Sequence, residues 1–116
     1  MANEVRVARL ESLIKDVINN ALANEINDKI AKLARVTAVR LSNDLSVAKI
    51  FLDAHKRKSM PKVLENVNKV SGLLRSKLAA EWTSYKVPEL RFVIDETIDY
   101  ANHIDELFKK IKQQEN

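Results

Sequence analysis

Few residues of this 116-residue chain have types and spacing that could do bond-breaking chemistry. His55 and His103 lie far apart, and neither stands at ligand spacing to a second histidine, so no metal centre is expected. Asp95, Glu96 and Asp99 could pass for paired acid–base carboxylates, but they open an amphipathic stretch, where acidic residues complement the positive end of a helix. There is no cysteine, which removes disulfides, thiolate zinc and a thiol nucleophile and fits a reducing compartment. No Ser–His–Asp order suggests an activated hydroxyl. Gly72 is the only glycine, whereas a Walker loop, a dinucleotide fingerprint and an RNA-clamping Gly-x-x-Gly loop each need more than one. The expectation is a protein without catalysis or cofactor.

What is left is electrostatic chemistry. Residues 1–28 carry net −2, residues 29–91 carry net +9 and residues 92–116 carry net −3. A basic block between two acidic ends points to a polyanion partner, the alternative being ordinary solvated lysines. The densest part is Lys56, Arg57, Lys58 and Lys62, continued by Lys69, Arg75, Lys77 and Lys86, against only Glu65 and Glu81. These eight cations are the candidate nucleic-acid contacts, which would position phosphates without reading sequence, against the bland reading of a solubilising face. Arg6 and Arg9 are a possible secondary contact. Trp82 and Tyr85 stand among basic residues and could stack on bases, but Trp82 also continues an apolar stripe, which favours core packing.

The elements that must position these groups follow from periodicity. Leu10, Leu13, Ile14, Val17, Ile18, Ala21 and Leu22 form one stripe on a helix over roughly 4–24, ended by Asn27-Asp28. Residues 36–41 and 47–52, rich in β-branched side chains, read as strands, and the turn chemistry of Ser42-Asn43-Asp44-Leu45 makes them an antiparallel hairpin. Ser59 is placed to cap the next helix and Pro61 to sit in its first turn. Its stripe is Val63, Val67, Val70, Leu74, Leu78 and Trp82. Val87-Pro88 ends it, and Leu90, Phe92 and Ile94 alternate with Glu89, Arg91 and Val93 as a third strand. Asp95 is placed to cap a last helix with Ile98, Ala101, Ile104, Phe108 and Ile111 on one face.

Residues 1–112 thus read as one domain and 113–116 as a frayed tail. The start has no signal-peptide core, and no apolar run approaches the roughly 20 residues of a membrane span, so a cytoplasmic protein without membrane contact is expected. An unbroken helix over 60–84 would be about 37 Å long, roughly the full width of so small a domain. A kink at Ser71-Gly72 would let both halves lie on the sheet.

Several stretches together resemble the bacterial ribosome-binding factor A family over nearly the whole chain. They are Arg6-Val7-Ala8-Arg9, the run from Val36 to Leu45, Ala48-Lys49-Ile50-Phe51, Ser71-Gly72-Leu73-Leu74-Arg75, and Val87-Pro88-Glu89-Leu90-Arg91-Phe92 followed by Asp95. The resemblance implies an α+β, type II KH-like domain, order α-β-β-α-(kink at Gly72)-α-β-α, its three-stranded sheet covered by helices. In that family an Ala-x-Gly interruption replaces the clamp loop; here it reads Val70-Ser71-Gly72. The resemblance also implies a non-enzymatic assembly factor that binds the small ribosomal subunit, the alternative being a protein-interaction adapter with an incidental basic face; nothing in the sequence suggests other than a monomer. The assembly factor would assist late 16S rRNA maturation, including 5′-end processing, and matter for growth in the cold.

Overall fold

The computed structural model describes residues 4–84 and 86–97. The order is α1 (Glu4–Asn20), β1 (Arg35–Leu41), β2 (Val47–Asp53), α2 (Met60–Lys69), α3 (Ser71–Glu81) and β3 (Glu89–Ile94). This is the α+β arrangement and the α–β–β–α–α–β order of a type II KH-like domain. The last helix anticipated from Ile98 to Ile111 lies outside the described residues.

The sheet order is β1-β2-β3, with β1 antiparallel and β3 parallel to β2. Ala48, Ile50 and Leu52 alternate inward along β2 and meet Ile14, Ile18 and Leu22, Val63 and Val67, and Leu74 and Leu78 in one buried cluster. All three helices therefore cover the same face of the sheet.

The first helix ends in a π-type turn, Ala21–Glu25, rather than a regular α-turn. The wider turn keeps Ala21, Leu22 and Ile26 all buried before the chain departs. Asp28 then accepts backbone N–H bonds from Ile30 and Ala31 at 2.9 and 3.0 Å, and the Asn66 amide of α2 donates to it at 3.1 Å. Those donors, the Ala31 amide foremost, hold its carboxyl below the usual carboxylate range.

Side chains of α1 also serve the outer edge of β1. Asn19 accepts from the Val36 N–H at 2.7 Å and donates to its carbonyl at 3.2 Å, and Glu11 accepts from the Leu41 N–H at 2.9 Å. These bonds stand in for a neighbouring strand at an otherwise unpaired edge. The register slips between Val36 and Ala38, a bulge that frees Thr37 to donate its hydroxyl to Asp95 at 2.5 Å.

Two local expectations change. Ser59 does not cap α2 with its side chain. It closes a 3-10 turn, Arg57–Ser59, with φ −85° and ψ −7°, whereas a capping side chain requires extended backbone. The break between α2 and α3 falls at Val70, not at Ser71-Gly72: Val70 has φ −103° and ψ 12°, and Ser71 already opens α3. Gly72 has no positive φ, and a Cβ there would meet nothing within 4 Å. It is neither the hinge nor a close-packing point. Val70 is the hinge because its half-buried side chain must stay on the core while the helix axis turns.

Candidate nucleic-acid interface

Phase along α3 sorts the expected cations. Gly72, Arg75, Ser76 and Ala79 share one flank and, with Lys86 and Val87, line a groove of about 370 Å³. The Arg75 guanidinium donates to the carbonyls of Val87 at 3.1 Å and Pro88 at 3.4 Å, which fixes the returning loop against the helix. Arg75 has no carboxylate partner among the described residues, so its charge stays available to a phosphate. Small side chains leave the helix backbone bare at Gly72, so a bulky ligand can come close there.

The opposite flank is different. Lys77 pairs with Glu25 at 3.9 Å and lies in a groove with Asp16, Glu25 and Glu81. That groove carries more acid than base, so Lys77 is separated from the other candidates. Lys62 and Lys69 do share one side of α2, as their spacing implies, and Glu65 between them pairs with both, at 3.4 and 3.8 Å. The trio keeps a net positive charge in an exposed setting, where such pairs are worth little.

Arg57 has a structural bond set. Its guanidinium pairs with the buried carboxylate of Asp53 and donates to the Asp95 carbonyl at 2.8 Å, joining the end of β2 to the end of β3. Asp95 also accepts from the Thr97 N–H at 2.9 Å; the helix it is expected to cap lies outside the described residues. The Thr37 hydroxyl is the main cause of the lowered Asp95 carboxyl pKa. Lys56 and Lys58 flank Arg57 and are exposed. Arg6 donates to the Ser84 hydroxyl at 3.1 Å, and Arg9 is exposed on α1. Trp82 ends α3 half-buried against the core, as its place in the stripe suggests. His55 is exposed beside Asp53, while Tyr85, Asp99 and His103 lie outside the described residues. Ser76 and Ala79 escaped the sequence reading, although their spacing from Gly72 repeats that of a helix face.

The model of ribosome-binding factor A matches residues 6–108. The chain belongs to the ribosome-binding factor A family. It is 99% identical to the family member of Ureaplasma urealyticum serovar 10 over 116 residues, covering 100% of both chains. It is 36% identical to that of Malacoplasma penetrans over 110 residues, covering 95% of each. The crystal structure of ribosome-binding factor A from Thermus thermophilus superposes with a TM-score of 0.67 at 26% identity, covering 76% of this chain and 94% of that one. A model of the Thermus thermophilus factor fitted into the cryo-EM map of its 30S complex gives a TM-score of 0.61 at 26% identity, covering 77% and 94%. The groove at Gly72 lies along α3, between that helix and the loop at 86–87, and begins two residues past the break at Val70.

Proposed function

We propose that this chain binds the immature small ribosomal subunit and assists late maturation of its 16S rRNA, 5′-end processing included, without catalysing a step itself. Membership of the ribosome-binding factor A family carries this reading, since the Thermus thermophilus member is fitted into a 30S complex. The domain would act as a monomer in the cytoplasm, with residues 1–112 as its single KH-like unit, and would matter most in the cold, where misfolded rRNA escapes slowly. Among the described residues no helix is long and apolar enough to cross a membrane.

The structure suggests how RNA would be held. Backbone amides of a glycine loop are replaced by side-chain cations. Arg75 and Lys86 line the α3 groove, Lys62 and Lys69 project from α2, and Lys56 and Lys58 stand before it. Such contacts neutralise phosphates and orient the protein. The test is co-sedimentation with small subunits of a variant carrying K62E, K69E and R75E. Binding should fall sharply while circular dichroism stays native; unchanged binding would remove this surface. A salt titration separates RNA from an apolar protein partner, because binding through several phosphates weakens with a log–log slope of about −0.7 to −0.9 per contact.

A further inference from the structure

The strand register builds a feature that no single stretch of sequence displays. Arg40 of β1 lies directly opposite Lys49 of β2, and Lys49 lies directly opposite Arg91 of β3. All three are exposed, and their chain neighbours Val39, Ile50 and Phe92 are buried in the core, so the cations stand on the face of the sheet turned away from α1, α2 and α3, with Arg40 at its edge also lining a groove with Glu4 and Glu11 of α1. At about 4.8 Å between strands, they form a row roughly 10 Å across. Like charges placed directly opposite destabilise a sheet. Only Arg91 has a carboxylate partner, Glu89 at 3.2 Å; Arg40 and Lys49 have none among the described residues. The next row, Ala38, Phe51 and Val93, is half-buried and apolar, and the Lys49 ammonium lies 5.5 Å from the Phe51 ring centroid. A cation row beside an aromatic is a surface for a charged, partly apolar chain.

We infer that the face of the sheet opposite α1, α2 and α3 is a second RNA-binding surface, on which phosphates of a single-stranded segment lie along Arg40, Lys49 and Arg91 and a base lies against Phe51. This rests on the RNA-binding reading above and extends it to the other side of the molecule. The two surfaces adjoin at the β3 edge. Glu89, two residues before Arg91 and paired with it, lines a depression with Gly72 and Arg75, so a strand bound on both would pass beside this carboxylate. The repulsion within the row is then relieved by bound phosphate, which explains why three cations are tolerated side by side.

The test uses the full chain and a fluorescein-labelled single-stranded RNA of about twelve nucleotides, with affinity from anisotropy across a salt series and stability from thermal melting. Lys49→Glu places an acid between Arg40 and Arg91. Its affinity should fall at least roughly fivefold and its salt slope should become shallower by about 0.7, one single-strand phosphate contact. Its melting temperature should rise by a few degrees, because two repulsive cross-strand pairs become attractive. Lys49→Gln, which only removes the charge, should give a smaller loss of affinity and guards against misfolding of the first variant. Arg75→Glu is measured alongside. If Arg75→Glu weakens binding and both Lys49 variants bind as the parent does, the sheet surface is overturned and the RNA-binding reading stands. If the Lys49 variants weaken binding and Arg75→Glu does not, the sheet surface stands and the groove assignment falls. If the parent chain does not bind the oligonucleotide, both fail.

Discussion

The two flanks of α3 carry the same kind of residue and opposite chemistry. Arg75 looks onto a groove floored by Gly72, Ser76 and Ala79 and closed by Lys86, whereas Lys77, two residues on, looks onto Asp16, Glu25 and Glu81. Two residues are about 200° of helical rotation, enough to move a side chain from a basic to an acidic environment. A run of cations along the chain is therefore not a basic face. Which charges act together is decided by helix phase and by what α1 and the loop at 86–88 bring alongside.

The strongest way to break the comparison is to remove what holds both flanks in place. Leu78 is fully buried between them, and Leu78→Ala should destabilise the fold by about 3 kcal/mol. Chemical denaturation would show it, and RNA affinity should fail in parallel with folding. Survival of affinity without the melting transition would mean that the basic flank needs no fold. Next, Arg75→Glu should lower small-subunit binding about tenfold, as expected for losing a contact and adding repulsion, while Lys77→Glu should change it by less than about twofold. Equal losses would erase the distinction between the flanks.

Gly72→Ala sharpens it further. Helical backbone and open space at this position predict a gain of about 0.5–1 kcal/mol in stability from the methyl group. If RNA approaches the bare backbone, affinity should drop by roughly threefold in the same protein; a gain in both would exclude that approach. On the acidic flank, Glu25→Gln should cost no more than about 0.5 kcal/mol, because its pair with Lys77 is over a third exposed on both sides.

The smallest effect belongs to a site on neither flank. In the turn between β1 and β2, the Asp44 carboxylate accepts bonds from the Ser46 and Ser42 hydroxyls and the Ser46 amide, and its pKa lies at about 2. A carboxyl depressed in the folded state stabilises above its unfolded value of 3.8, and that contribution is lost as pH falls toward 2. Asp44→Asn should flatten the acid limb of the stability profile over this window and leave RNA binding at neutral pH untouched.

Most of the architecture was legible because apolar periodicity survives in the described helices and strands. The three strands came within one residue of their observed bounds, and both stripes of α2 and α3 pack as read. The misses share a cause. The glycine drew the hinge to itself because backbone freedom is visible in sequence, while the hinge at Val70 comes from keeping a half-buried side chain on the core through a turn of the axis. Arg57 read as a surface cation because Asp53, its buried partner, could be recognised as buried only once β2, β3 and the 3-10 turn met. The bulge at Thr37 was hidden because its effect is a bond to Asp95, 58 residues away.

By itself the sequence determined the class of fold, the absence of a glycine clamp and the basic middle of the chain, since these depend on residue type and local period alone. Only the tertiary structure decided which cations stand together: Arg75 with Lys86, Lys77 with acids, and Arg40, Lys49 and Arg91 in a row. The reason is that electrostatic interaction follows distance in space. Helix rotation and strand register set that distance, and neither is a property of any single segment.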